Sequence, residues 1–178
     1  MRPTALPSRL ALQLAVRVAA LTTLGLAGCA TPGQDARLTA GVSRGAEVLA
    51  IYGPPGRVWP EADGGRTLEY ASQPMGQHCY LVRLGPDDRL IRVEDGLSAT
   101  GRSRVEPGMT PEQVSRLLGR ERSRVRFSLS GEDVWDWTIE PDAAGHGLRF
   151  NVHFKDGVVL RTSQSMVLPS RLFPFGAD

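Results

Sequence analysis

The sequence predicts an α+β fold of two small tandem units, each a short helix packed on an antiparallel meander of three or four strands. Two observations predict it. Four segments of the 178-residue chain recur in the same order with similar spacing, which indicates an internal duplication. In each copy, apolar residues at helical spacing precede stretches in which apolar and polar residues alternate, as in half-buried strands. The recurring pairs are 41–53 with 108–119, 68–70 with 135–137, 80–84 with 150–154, and 88–92 with 156–160.

Residues 1–28 are typical of an export signal. Residues 1–17 contain three arginines and no acidic residue, and the apolar stretch 18–26 is too short to be a permanent membrane-spanning helix. The stretch ends in a tetrapeptide that resembles a lipobox, the processing signal of bacterial lipoproteins. The resemblance implies that its cysteine becomes the first mature residue and carries covalent lipid; the alternative is an ordinary signal peptide whose cleavage site includes a cysteine. The tetrapeptide is Leu26-Ala27-Gly28-Cys29.

A lipid on Cys29 implies a protein anchored on the periplasmic face of the outer membrane of a Gram-negative envelope. Ala30 follows the cysteine, whereas Asp at that place favours retention at the inner membrane. Several acyl chains make such an anchor stable. The tether is predicted over 29–38. Fully extended, the eight residues 30–37 reach at most about 25–30 Å, so we expect the folded part to lie close to the membrane surface.

Charge and cysteine content exclude two classes of protein. The chain has 21 Lys and Arg against 19 Asp and Glu, and three of the arginines precede Cys29. The mature chain is therefore close to neutral, which gives no indication of nucleic-acid binding. Once Cys29 is lipidated, Cys79 has no internal partner, so a disulfide scaffold is excluded. We expect Cys79 to be a small apolar residue on a strand rather than a reactive or intermolecular thiol.

The first unit is predicted over 39–97. Ser43 is expected to cap its helix, and Gly53, followed by Pro54 and Pro55, is expected to end it. Alternate residues of the strands that follow are apolar and are expected to face this helix. They are Leu68, Tyr70, Tyr80, Val82 and Leu84.

A flexible linker is predicted over 98–104. The stretch 96–103 has nearly the spacing of a phosphate-binding loop, but Arg102 stands where that loop needs Lys. The residues after Arg102 also fail to continue as a helix. We therefore expect a connection between the two units rather than a nucleotide site.

The second unit, predicted over 105–165, has clearer signals. Thr110 and Gln113 form a capping box around Pro111, and Gly119 ends the helix. A hairpin turn is expected at 130–132. The residues expected to face inward from the strands are Val125, Phe127 and Leu129, then Trp135, Trp137 and Ile139, then Phe150, Val152 and Phe154.

The chain ends in an apolar, proline-interrupted tail, predicted over 166–178. Phe173 and Phe175 lie in it on either side of a proline. The tail is expected to pack back onto the second sheet. The alternative is an exposed peptide for a partner, because contiguous apolar surface marks interfaces.

The second unit resembles the SmpA/OmlA (BamE-like) domain of small outer-membrane lipoproteins. The resemblance is carried by 108–114 with Leu118-Gly119, then 135–137, then 150–157, and in the first unit by 41–53 followed by Pro54. It covers most of the mature chain, once per repeat. It implies helices on an antiparallel sheet and a role as an accessory subunit of the machinery that inserts β-barrels into the outer membrane. A doubled unit also resembles the β-lactamase-inhibitor-protein architecture, whose concave tandem sheet binds a protein. Arg120 departs from the BamE-like helix exit, which usually leads into proline.

The sequence offers no convergent set of catalytic groups, so we predict that the protein is not an enzyme. His78, His146 and His153 are its three imidazoles, and no Cys, His and Asp spacing indicates a metal site. No cofactor is expected other than the covalent lipid.

A basic stripe is predicted at Arg122, Arg124 and Arg126, on one face of a strand. One interpretation is contact with lipid phosphates or an acidic partner. The other, which we favour, is local pairing across the hairpin, with Arg126 opposite Asp136 and Arg122 opposite Glu140. Together with Phe173 and Phe175, these arginines are the candidate interaction surface.

The leading hypothesis is a non-catalytic interaction lipoprotein that supports outer-membrane protein assembly or envelope integrity. Its partners would be the membrane, through the lipid, and an outer-membrane or periplasmic protein such as the barrel-assembly machinery. The alternative is a periplasmic binder or inhibitor of one specific protein, acting through a tandem concave sheet. An envelope enzyme is the third class, and the lack of a convergent set of catalytic groups in the sequence disfavours it.

Overall fold

The computed structural model describes residues 37–167, which form an α+β fold with two four-stranded antiparallel sheets. Sheet 1 has the strand order β1-β2-β3-β4, and sheet 2 has the order β5-β6-β7-β8. No helix within residues 37–167 is long and apolar enough to cross a membrane. In chain order the elements are α1 (Gly45–Tyr52), β1 (Arg57–Pro60), β2 (Arg66–Ala71), β3 (Cys79–Leu84), β4 (Leu90–Asp95), α2 (Ala99–Arg102), α3 (Pro111–Leu118), β5 (Ser123–Phe127), β6 (Glu132–Ile139), β7 (Leu148–Lys155) and β8 (Val158–Met166).

The two units repeat each other in detail where their helices end. Helices α1 and α3 each have eight residues and stop at a glycine with positive φ, +75° at Gly53 and +70° at Gly119. At both glycines the carbonyl accepts a hydrogen bond from an aromatic side chain of the next sheet. Tyr70 Oη donates to Gly53 over 3.1 Å, and Trp137 Nε1 donates to Gly119 over 3.2 Å. Tyr70 and Trp137 are matched in the predicted duplication, which these contacts support.

The last hairpin of each unit is repeated as well. Its turn contains an aspartate in the left-handed region, with φ of 64° at Asp88 and 52° at Asp156. In both hairpins the register shifts near the end of the third strand of the sheet. Before each helix, a glycine N–H donates to the fourth strand, from Gly41 over 2.7 Å and from Gly108 over 2.8 Å.

The sequence predicted two units, each with a helix packed on its own sheet. In the structure the two units also share a core. Helix α3 lies between the two sheets, so the layers follow the order α1, sheet 1, α3, sheet 2. A smaller cluster joins Val48 of α1 to the other face of sheet 1. The shared cluster contains Val114 and Leu118 of α3, Cys79 and Leu81 of sheet 1, and Trp137, Ile139, Phe150, Val152 and Phe154 of sheet 2.

The two-faced burial of β3 explains this difference. Val82 and Leu84 face α1, while Cys79 and Leu81 face α3, and all four are buried. The alternation predicted only one apolar face for this strand. Because a helix of two turns needs packing to be stable, α3 gains partners on both of its sides. Burial also raises the pKa of the Cys79 thiol, as expected for an inert apolar residue.

Polar contacts close the seam between the units. The amide of Gln73 donates to Thr138 O over 2.8 Å and accepts from Thr138 N over 3.1 Å. The buried Glu69 accepts from the backbone N–H of Arg120 over 2.9 Å. Gly119 packs so closely that a Cβ there would lie 2.1 Å from Cys79 Sγ. The seam therefore depends on a residue without a side chain.

The predicted flexible linker is instead a packed helical turn, α2. The Ser98 hydroxyl accepts from Gly101 N over 3.1 Å, and Leu97 is buried in the shared core. A Cβ on Gly101 would lie 2.1 Å from Gly96 O. Small residues here permit close backbone contact, which composition alone does not distinguish from flexibility.

Several sequence predictions lie outside the described residues. They concern the signal, the lipobox and Cys29, most of the tether, and the tail residues Phe173 and Phe175. Strand β8 runs through Met166, and Val167 N donates to Gly147 O over 2.8 Å, so the sheet extends past residue 165.

Candidate interaction surface

Sheet 2 has one face against α3 and one face over which no helix or strand within residues 37–167 packs. The register of the three strand pairs places the same-face side chains unambiguously. We call this second face the open face. It consists of Ser123, Val125 and Phe127 of β5, Glu132, Val134, Asp136 and Thr138 of β6, Arg149, Asn151 and His153 of β7, and Arg161, Ser163 and Ser165 of β8.

A carboxylate–imidazole pair lies at one end of the open face. Glu132 Oε2 lies 2.8 Å from His153 Nδ1 and accepts a hydrogen bond of 2.8 Å from Arg161 Nη1. The bond from Arg161, followed by that from His153, lowers the pKa of the Glu132 carboxyl. Both side chains of the Glu132–His153 pair are only 14% exposed. Neighbouring strands thus hold a fixed charged group at the surface.

The same network continues across β7 and β8 through neutral groups. His153 Nε2 lies 2.9 Å from Ser163 Oγ. Asn151 Nδ2 donates to Ser165 Oγ over 3.1 Å, and a longer bond of 3.4 Å reaches Ser163. Side chains that fix each other lose little rotamer freedom when a partner binds. The middle of the open face is therefore preorganised.

A second charged group, around Asp136, occupies the β5 side of the open face. Asp136 is 6% exposed, and its carboxylate accepts from the guanidinium of Arg122 and from the hydroxyl of Ser123. Arg122 Nη2 donates to Asp136 Oδ2 over 3.0 Å. The buried charge is thus compensated on the face itself.

The three arginines of the predicted basic stripe do not share a face. Only the Arg122 guanidinium joins the open face. Arg124 lies on the α3 side, with its guanidinium 3.9 Å from the Trp135 ring centre and 2.6 Å from Glu121. Arg126 pairs with Asp133 on that same side. Each arginine has a local carboxylate partner, and a role for the three in binding remains a prediction.

The predicted partners of these arginines were wrong. Arg126 lies opposite Asp133, not Asp136, and Arg122 bonds Asp136, not Glu140. The turn occupies 128–131, ahead of the predicted 130–132, and Leu129 lies in it instead of in the strand. Because the turn fixes the register, moving it changes every pair.

The predicted inward set of β5 was also wrong. Val125 and Phe127 are 47% and 51% exposed on the open face, and Leu129 is fully exposed. Their alternation with arginine indicated two faces but not which one is inside. At this edge strand the guanidinium of Arg124 itself stacks on the Trp135 ring, so an arginine takes the place expected for an apolar side chain. The inward sets of β6 and β7 were confirmed: Trp137, Ile139, Phe150, Val152 and Phe154 are buried, and Trp135 packs partly buried against the same cluster.

Each imidazole has its own carboxylate neighbour. His78 Nδ1 lies 2.7 Å from Asp95, and His146 Nδ1 lies 2.9 Å from Asp142 in an exposed turn. Only His153 belongs to the open face. Within residues 37–167 no group of three His, Cys, Asp or Glu side chains could hold a metal ion.

The open face was missed from the sequence although a signal was present. Arg149, Asn151 and His153 alternate with the buried residues of β7, so they had to share the opposite face. The pairing of β7 with β8 could not be predicted, because β8 has no apolar alternation to set its register. The serines that complete the network, Ser163 and Ser165, come from that strand.

No protein-family model matches the chain, and no curated protein matches it in sequence. Among solved structures, a candidate β-lactamase inhibitor protein from Streptococcus mutans is 8% identical over 72% of this chain and 91% of that one, with a TM-score of 0.30. An extracellular protein containing an SCP domain from Bacillus anthracis is 12% identical over 80% of this chain and 55% of that one, with a TM-score of 0.28. Both are weak likenesses of fold.

Proposed function

We propose that this protein is a non-catalytic interaction module that binds a partner protein through the open face of sheet 2. The observation that carries the proposal is the ordered network from Glu132 through His153 to Ser163 and Asn151. Fixed polar groups next to apolar side chains that are half exposed, here Val125 and Phe127, form the mixed surface typical of recognition sites.

The finer proposal is a lipid-anchored protein of the outer membrane that supports outer-membrane protein assembly or envelope integrity. Its support comes from sequence, namely the lipobox ending at Cys29 and the BamE-like motifs in 108–119 and 135–157. In this proposal the tether holds the open face within reach of partners at the membrane.

The second candidate is a binder or inhibitor of one soluble periplasmic protein. The rigid network favours it, because preorganised polar side chains suit a single, specific partner. It would have to act through sheet 2 alone. Helix α3 lies over the corresponding face of sheet 1, so the two sheets do not form the joint concave surface of the alternative hypothesis.

In-cell photo-crosslinking tests the proposal on the full-length chain. A photoreactive phenylalanine analogue replaces Phe127 or Val125 on the open face, and, as a matched control, the exposed Leu49 on α1. Residues 125 and 127 are expected to capture the same protein, and residue 49 is expected to capture none. Capture of an outer-membrane assembly subunit supports the first candidate, and capture of one soluble protein supports the second. Equal capture from all three sites, or none, would contradict an open-face interaction.

A further inference from the structure

A cleft rich in arginine lies at the seam, between sheet 1 and α3, away from the open face. Its volume is about 200 Å³. Four guanidinium groups and two carboxylates line it. They belong to Arg83, Arg92, Arg104, Arg116, Glu61 and Glu94. We call it the arginine cleft, and its charge balance leaves two positive charges over.

The carboxylates of the cleft are already engaged. Glu94 is shared, since it accepts from Arg92 through one oxygen and from Arg104 through the other, the latter over 3.1 Å. Glu61 accepts from the hydroxyl of Thr67.

Two further carboxylates pair with the arginines from outside the lining. Asp63 accepts from Arg83 Nη2 over 2.6 Å, and Glu112 accepts from Arg116 Nε over 3.3 Å. Their side chains are 51% and 67% exposed, so water screens their charge and the positive charge inside the cleft is only partly offset.

Two arginines are held in place with donors left over. Arg104 Nε is buried and has no hydrogen-bond partner within the described part of the chain. A buried donor without a partner is costly, and its presence calls for an acceptor. Arg116 packs its guanidinium 4.8 Å from the Trp59 ring centre. Its Nη1 donates to Pro60 O over 3.1 Å and its Nε to Glu112 over 3.3 Å, which leaves Nη2 for another acceptor.

The apolar residues of the cleft indicate the class of ligand. Leu81 of β3 and Leu117 of α3 line the cleft together with the guanidinium groups. We propose that the arginine cleft binds a carboxylate carried on a short aliphatic stem. The planar guanidinium fork matches a carboxylate in two parallel hydrogen bonds, and the leucines accept the methylenes. A space of 200 Å³ holds about seven waters, which is enough for one such group.

This chemistry has two sources, a free dicarboxylic acid or a glutamate side chain of a polypeptide. Either would contact residues of both units, since Arg92 belongs to sheet 1 and Arg116 to α3. Occupancy of the cleft therefore links the first unit to the helix of the second. The proposal is independent of the open face.

Titration of the purified full-length chain tests it, with the Nε–Hε signal of Arg104 followed by NMR. The ligands are glutarate, the capped tripeptide Gly-Glu-Gly, and glutaramide as the uncharged analogue. Glutarate or the peptide is expected to shift the signal saturably and to bind at least about tenfold more tightly than glutaramide. Tighter binding of the peptide identifies a side chain as the source, and tighter binding of glutarate identifies a free acid. No saturable shift up to about 10 mM of either, or equal binding of glutaramide, overturns the proposal.

Variants localise the site, with calorimetry as the readout. Arg92→Gln is expected to weaken glutarate binding about tenfold, and Arg104→Lys, which keeps the charge but not the fork, about threefold. Arg126→Gln is the matched control, because Arg126 is also an exposed edge-strand arginine with one carboxylate partner and lies outside the cleft. It is expected to bind as the unmodified chain does. Equal weakening by Arg126→Gln and Arg92→Gln overturns the proposal, and melting curves verify that each variant is folded.

Discussion

The matched faces of the two sheets differ in exposure. In sheet 1 this face is covered by α3, and in sheet 2 it is the open face. Positions matched by the duplication carry different residues, Cys79 and Leu81 in the first unit and Arg149 and Asn151 in the second. The first pair is buried in the shared core, whereas the second is partly exposed. Sheet 2, the last layer in the order α1, sheet 1, α3, sheet 2, thus has polar residues at the two positions that are apolar in sheet 1.

The comparison teaches how a duplicated unit ends after two copies. Repeats that stack on each other need a terminal unit with a polar outer face. One feature is kept on both faces, a buried carboxylate. Glu69 accepts from Trp59 Nε1 over 2.9 Å and from the second unit's Arg120 N, whereas Asp136 is satisfied within its own sheet by Arg122. The second unit therefore satisfies its buried carboxylate without a contact from a third unit.

The glycine at the helix exit provides the strongest way to break the comparison. Gly119 and Gly53 share a backbone conformation that is essentially restricted to glycine, so alanine at either costs about 1–3 kcal/mol of unfolding free energy. Gly119→Ala adds a clash with Cys79 at the seam, and overpacking costs about 1–3 kcal/mol more. A Cβ at Gly53 meets nothing within 4 Å, which makes Gly53→Ala the matched control.

Urea unfolding monitored by tryptophan fluorescence measures both variants. The expected result is a larger loss of unfolding free energy for Gly119→Ala than for Gly53→Ala. Equal losses would mean that the seam tolerates the extra methyl group. In that case the close packing of α3 on sheet 1 would not set the stability of the fold.

Exchanging the matched residues tests the two faces directly. Leu81→Asn gives sheet 1 the residue of the open face, and it is expected to cost about 2–4 kcal/mol because it removes buried apolar volume and buries an amide. Asn151→Leu is the reciprocal change on a partly exposed position and is expected to alter the unfolding free energy by no more than about 0.5 kcal/mol. Thermal unfolding of the two variants gives the comparison. A similar loss from both would show that the open face is as tightly packed as the seam.

The sequence predicted the parts of the fold that depend on local pattern. Helix α3 was predicted from the capping box of Thr110 and Gln113 and the stop at Gly119, and the structure confirms all three. The α+β class, the two tandem copies and the inward sets of β6 and β7 follow equally from local spacing. These features need no knowledge of how the units are arranged.

Long-range pairing was not predictable in the same way. The role of Leu81 depends on α3 lying across sheet 1, and nothing local distinguishes that from a solvent-facing strand residue. The orientation of Val125 depends on Arg124 covering Trp135. The His153 network depends on Ser163, which is adjacent only once β7 and β8 pair in register. The candidate site is thus mostly a product of register.

The charged network of the open face gives the smallest expected effect. Arg161→Gln removes the hydrogen bond that contributes most to lowering the pKa of Glu132, so that pKa is expected to rise toward its ordinary value. A lowered carboxyl pKa stabilises the fold above the ordinary pKa and the stabilisation is lost as pH falls through the lowered value. Between the ordinary pKa of a glutamate and the lowered pKa of Glu132, the variant should therefore lose less unfolding free energy on acidification. Carboxyl carbon NMR during a pH titration measures the pKa of Glu132 directly.

Asp63 supplies the internal reference for this titration, because a hydrogen bond from Arg83 lowers its pKa in the first unit by the same mechanism. Arg83 and His153 are matched positions of the duplication. In each unit, therefore, the residue at the same position of the third strand contacts the carboxylate. Arg161→Gln should leave the pKa of Asp63 unchanged while that of Glu132 rises. A shift of both would mean that the two faces communicate electrostatically through α3, and no shift of either would remove Arg161 from the network of the open face.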